Sequence, residues 1–167
     1  MNNTTDIKGG FEYLVEMLKD GVVVDSFVVH NLLPVECANY MLNTSFRNAA
    51  PVAAWHVGLY EGNYTPSIND TAATFPGSAT ECTTYTEATR VAFTAAPAVA
   101  GVTDNSASRA EFTSNAAKVI YGGFISSVAA KGATTGILGS AVRFPSPRNF
   151  DVGTVLRVTA GFTLTSV

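Results

Sequence analysis

The chain has 167 residues, of which 47% are hydrophobic and only 14% charged, and its formal net charge is −3. That length fits one domain of roughly 100–200 residues, and the hydrophobic share excludes disorder over most of it. Charge lies well below the roughly 25% of an average soluble protein, there is no Lys/Arg cluster to grip nucleic acid, and no run approaches the roughly 18 apolar residues that cross a bilayer.

Residues 1–10 are polar and end in Gly9-Gly10, which reads as a flexible arm and hinge ahead of a single domain over 11–167. The arm has no apolar h-region, so a secretory route is not expected and synthesis is placed in the cytoplasm. Phe11–Lys19 and the β-branched Val22–Val29 flank Asp20-Gly21. That pair is a type I′ turn signal and predicts a hairpin. Helical spacing of Leu14, Met17 and Leu18 offers a competing helix, but the run after the turn supplies a strand partner. Pro34 suits a helix start, and Val35, Ala38, Met41 or Leu42, and Phe46 recur at helical intervals. One helix over about 34–47, with one apolar stripe, is predicted.

Beyond it the pattern is β. Ala53–Tyr60 reads as a buried strand with Trp55, Val57 and Leu59 on one face. Tyr64–Thr86 is a long connection, of a length that is usually functional or disordered. Thr89–Thr94 alternates, with Val91 and Phe93 set against Arg90 and Ala92. Pro97–Ser106 is a second, small-residue connection. Ser108–Thr113 points Ala110 and Phe112 inward and Arg109 and Glu111 outward. Lys118–Val128 carries Gly122-Gly123, a bulge or a close backbone approach. Thr135–Phe144 precedes a turn at Pro145-Ser146-Pro147. The last strand alternates strictly: Leu156, Val158, Ala160, Phe162 and Leu164 face one way, Arg157, Thr159, Gly161, Thr163 and Thr165 the other. About eight strands and one short helix predict a mainly β fold, an antiparallel β-sandwich of jelly-roll type.

Chemistry-bearing patterns are sparse. Cys37 and Cys82 form no CxxC or metal spacing and read as buried reduced thiols. His30 and His56 are the only histidines; a Cys37–His30 nucleophile pair would need strand end and helix to meet in space. The acids lack the aromatic platform of a glycosidase, and no zinc set, calcium loop or phosphate loop is present. No cofactor, no metal and no catalytic residue is expected. Tyr60, Tyr64, Phe75 and Tyr85 bracket the long connection, either as exposed anchors of an interface or as plugs closing the end of the sandwich. Asn3, Asp6 and Lys8 of the arm are further interface candidates. Few charges, long connections and a polar arm suit a protein covered by neighbours, since obligate interfaces deplete charge at their centres.

The runs Asn31–Leu42, Trp55–Gly62, Thr71–Phe75, Glu81–Arg90 and Pro147–Val158 resemble small virion proteins of tailed bacteriophages, namely capsid decoration (cement) proteins and short fibre-like proteins. The resemblance spans about Asn31–Val167. It implies a jelly-roll sandwich on the outer surface of a capsid lattice, with the major capsid protein as partner and self-association as a dimer or trimer. It implies no catalytic residues; that neither nucleic acid nor membrane is a partner follows from the missing Lys/Arg cluster and apolar run. A head or tail fibre, or a receptor-binding protein, is the alternative. A glycan hydrolase using Glu81 or Glu111 is the enzymatic one.

Overall fold

The computed structural model describes residues 7–166. Strands β1 (Ile7–Lys19) and β2 (Val22–His30) form the expected hairpin. Asp20 and Gly21 at its tip both have positive φ, 51° and 77°, as a type I′ turn requires. Gly9 and Gly10 are no hinge: they belong to β1 and pair with Leu164 and Thr163. Of the expected arm, residues 1–6 lie outside the described residues. Helix α1 (Val35–Phe46) follows, then β3 (Trp55–Tyr60).

The connection after β3 is ordered rather than loose. It contains the short helix α2 (Phe75–Ser78) and strand β4 (Glu81–Cys82). Phe75 and Ala79 pack with Tyr60, Phe124, Leu138 and Ala141 as a second core on the outer side of β3. Both faces of β3 are therefore covered, which is why Val57 through Tyr60 are all buried. Strands β5 (Val91–Phe93), β6 (Val102–Asp104), β7 (Ala110–Thr113), β8 (Lys118–Ser126), β9 (Leu138–Phe150) and β10 (Val155–Ser166) complete the chain. Among the described residues ten strands replace the expected eight or so, because the connections contribute β4 and β6.

Two antiparallel sheets make a β-sandwich, one of them curled into a half-barrel. One sheet runs β2-β1-β10-β6 with β7 also on β10; the other runs β4-β3-β8-β9 with β5 also on β3. The outer pairing of β1 with β10 and the inner pairing of β3 with β8 are nested, while β1–β2 and β8–β9 remain hairpins within their own sheets. Between the sheets lie Tyr13, Val15, Leu59, Phe112, Ile120, Phe150, Leu156 and Val158, the inward half of each alternating strand. Leu164 departs from the expected inward set and is exposed, because β10 runs past the end of the core.

Two local corrections follow from edge geometry. Pro145-Ser146-Pro147 is not a turn but part of β9, where the register slips from Gly122↔Arg143 to Ile120↔Arg148. β9 is the edge of its sheet, where a residue lacking an N–H is tolerated. Gly122 sits at this bulge, and a Cβ there would lie 2.1 Å from the Val142 carbonyl oxygen. Arg90, which alternation sets opposite Val91 and Phe93, is buried, paired with the Glu81 side chain buried beside it.

The β2 and β9 edges are stitched by Arg148 Nε donating to Asp25 Oδ2 at 2.6 Å and by a bridge between Leu32 and Ala141. The opposite side is stitched by a bridge between Tyr85 and Ser114. With both flanks closed, the open part of the sandwich is the end at which α1 sits.

Candidate interaction surface

Helix α1 begins at Pro34, an extended residue (φ −63°, ψ 148°) at the N-cap, with no side-chain cap. Its anchor is Glu36. One carboxylate oxygen, Oε2, accepts from the Ala72 N–H at 2.8 Å and the Leu138 N–H at 2.7 Å, tying the first turn to the α2 connection and to β9. Cys37 is buried beneath the helix. Tyr40 sets its ring edge-on to Trp55 at 5.5 Å, and its hydroxyl accepts from the Val52 N–H at 3.0 Å.

The expected apolar stripe of α1 is split: Ala38 and Met41 are half-buried, while Val35, Leu42 and Phe46 face away from the core. Val35 is 43% exposed, Leu42 57% and Phe46 81%. The reason is that the sheets close their core without the helix, which needs only Cys37, Tyr40 and Met41 to rest on the rim. The side that spacing marks as a packing face is left for something else.

A second exposed segment lies beside it. Phe93 of β5 pairs with Trp55 of β3, so the residues after Phe93 emerge next to Ala53-Ala54. They form a turn in which Ala100 and Gly101 have positive φ, Val99 pairs with Val102, and the Gly101 carbonyl accepts from the Leu164 N–H at 2.8 Å. Residues 94–102 are all exposed. Residues 91–103 contain no charge, and between Cys37 and Trp55 the one charged residue is Arg47. The end of the sandwich is thus a largely apolar collar whose one charged residue over these two segments is Arg47.

At its centre is a pocket of about 270 Å³. Five aromatic rings line it: Phe11, Tyr40, Trp55, Phe93 and Phe162, with Met41 and Ala95 at the side. Phe11 stacks at 4.9 Å on Phe162 and 6.2 Å on Phe93. Gly139 makes room for Trp55, whose ring a Cβ there would approach to 2.8 Å.

Compared with models of known protein families and with curated proteins, the sequence matches none.

The residues singled out from sequence are dispersed. Asn3 and Asp6 lie outside the described residues. Lys8 is exposed beside a shallow cleft with Gly9, His30 and Thr163. Tyr60, Phe75 and Tyr85 are buried, at 0, 0 and 2% exposure, so they are not exposed anchors on this chain; Tyr60 and Phe75 belong to the second core on the outer side of β3 and Tyr85 to the core between the sheets, rather than to a plug at the end of the sandwich. Tyr64 is half-buried and donates its hydroxyl to Asp70 at 2.7 Å; that bond and burial raise its pKa.

The acids are mostly engaged in structural bonds. Glu81 pairs with Arg90, Glu61 with Lys118, and Glu111 and Glu16 with Arg157, while Glu87 accepts from the Thr113 N–H. Cys37 and His30 do not meet: His30 is exposed beside Glu12, while Cys37 is buried, with its thiol pushed up to about 11 by burial and then by Glu36. Among the described residues, no group of three or more His, Cys, Asp or Glu is placed to hold a metal ion. The collar and its pocket were missed by the helical periodicity, which cannot say which side of a stripe meets the core. The absence of charge over residues 91–103 is a sequence signal that could have pointed to it.

Proposed function

We propose that the protein acts by assembly, as a capsid decoration protein that seats on the outer surface of a major capsid protein lattice and stabilises the expanded shell. The observation that carries this reading is the charge-poor collar around the aromatic pocket. A solitary protein rarely leaves a contiguous apolar patch of this kind in water, whereas the centre of an interface between proteins is depleted of charge and enriched in aromatic residues. The resemblance of Asn31–Val167 to small phage virion proteins supplies the lattice as partner. Binding only the assembled shell would stabilise it by mass action, and repeated copies would add avidity.

The long connection Tyr64–Thr86 packs largely on its own sheet through Phe75, Ala79 and Cys82. Lattice contact is therefore assigned to the collar. Purified protein mixed with expanded, undecorated shells should bind saturably at lattice sites and raise the temperature at which the shells rupture. Absence of binding overturns the reading. Immunogold labelling of virions that marks a few copies at a vertex or tail would favour the fibre alternative instead.

A further inference from the structure

We infer that β2 is a self-association edge, along which two copies of this chain pair antiparallel about a two-fold axis at Val28. The edge shares no residue with the collar, so the inference goes beyond the decoration reading and does not rest on it.

The backbone decides which groups are free. The Asn31 N–H donates to the Phe11 carbonyl at 3.0 Å, and along an antiparallel pair hydrogen-bonded and non-hydrogen-bonded residues alternate. The register from Glu12↔His30 to Met17↔Asp25 is regular. Val29, Phe27 and Asp25 therefore bond β1, while His30, Val28 and Ser26 aim their N–H and C=O groups at the opposite side. Leu32, of the same parity, fixes the direction: it exchanges both bonds with Ala141 of β9, at 3.2 and 3.5 Å. That contact stays an isolated bridge. Farther along, β9 slips register on β8 between Arg143 and Arg148, and Pro145 and Pro147 bring no N–H. β2 pairs with β1 alone, and Ser26, Val28 and His30 are exposed. Arg148 and Phe144 close the core here through side chains, on Asp25 and Phe27, and leave the backbone edge open.

Open edges are ordinarily guarded by Pro, Lys or bulges. β9 follows that rule with its two prolines. Val22–His30 contains neither Pro nor Lys, and its one carboxylate, Asp25, is tied to Arg148. A second copy fits because the edge complements itself. With Val28 opposite Val28 of the second copy, Ser26 of each lies opposite His30 of the other. About six N–H···O bonds then form, two per opposed pair, and no like charges are set against each other. Leu14, half-buried on β1, lies across from Val28, so the pairing joins two Leu14–Val28 pairs into one apolar row over the merged sheet. An isologous contact of this kind closes on itself at two copies, and its small size belongs to the weak class of interfaces.

Sedimentation equilibrium of the full chain at about 1–100 µM, a range that captures micromolar affinity, should show monomer and dimer in exchange. Val28→Pro removes an N–H that β1 does not use, so the hairpin keeps its ladder. Dimerisation should weaken at least tenfold (about 1.4 kcal/mol) while far-UV circular dichroism stays unchanged. Val28→Lys, which sets two ammonium groups across the axis, should weaken it as much. Cross-linking reads the register. Under mild oxidation Val28→Cys should give a covalent dimer, because opposed hydrogen-bonded residues lie about 5.5 Å apart at Cα, within disulfide reach. Val22→Cys, more exposed at 64% against 50% but remote from the axis, should not. A wild-type chain that stays monomeric over this range overturns the pairing, as does an assembly larger than a dimer. So does a Val28→Pro or Val28→Lys variant that dimerises as the wild type does, or a Val22→Cys variant that cross-links as fast as Val28→Cys. The measurement uses no shells, so its failure leaves the decoration reading to its own test.

Discussion

Arg90 and Glu81 meet side-on inside the protein. Nε donates to Oε1 at 2.9 Å and the NH2 group to Oε2 at 2.7 Å, with the two side chains 0 and 3% exposed. The remaining guanidinium donors reach Ser126 Oγ and the carbonyls of Val128 and Ala133, so all five N–H groups are used. Glu81 also accepts from the Gly132 N–H at 3.0 Å. One ion pair thereby pins β4, the end of β8 and the β8–β9 connection to one another.

Removing one partner strands the other charge in the interior. Glu81→Ala should cost about 3–5 kcal/mol of unfolding free energy, read from urea denaturation. A loss under about 1 kcal/mol, the scale of an exposed pair, would contradict the burial of this one.

Glu36 is the single side-chain tie of α1 to both the α2 connection and β9. Glu36→Ala leaves the Ala72 and Leu138 N–H groups without their charged acceptor, and a hydrogen bond to a charged group is worth about 1.5–3 kcal/mol. A stability loss in that range is expected. Trp55 emission should also move to longer wavelength as Tyr40 and Met41 loosen from the pocket.

At Gly122 the obstacle is backbone. A Cβ would meet the Val142 oxygen at 2.1 Å and the Tyr60 ring at 2.4 Å, neither of which is the free end of a flexible chain. Gly122→Ala should destabilise by about 3 kcal/mol, the upper part of the usual overpacking range, whereas Gly132→Ala, with open space at its Cβ but φ +72°, should cost about 1 kcal/mol through left-handed backbone strain alone. Thermal melts of the two variants side by side test this ordering.

His56 carries a buried Nδ1 with no hydrogen-bond partner. Burial, and then the nearby Arg90 charge, hold its pKa below the ordinary 6.5, against a hydrogen bond with Ser126 that raises it. The unfolded chain therefore takes up a proton at a pH where the folded chain does not. Stability from this group is intact above about pH 6.5 and is lost as pH falls below it, until the folded pKa is reached. His56→Gln should flatten the melting temperature between about pH 5 and 7 relative to the wild type. An unchanged slope would show that other groups set it.

What the chain's local order determined is the set of strands. Alternation over Leu156–Ala160, the Asp20-Gly21 turn and the Gly122 bulge are short-range matters of pleat and φ, legible because side-chain period and backbone sterics act over a few residues. Even the span of α1 was readable. Its facing was not: Val35, Leu42 and Phe46 mark an apolar side, but whether that side meets the core depends on whether two distant sheets have already closed without it. Arg90 reads locally as a surface residue, and only Glu81, brought alongside with Ser126, Val128 and Ala133 from β8 and beyond, makes its burial tolerable. The pocket takes its walls from β1, α1, β3, β5 and β10, so it exists only once those elements pack, and no stretch of sequence contains it.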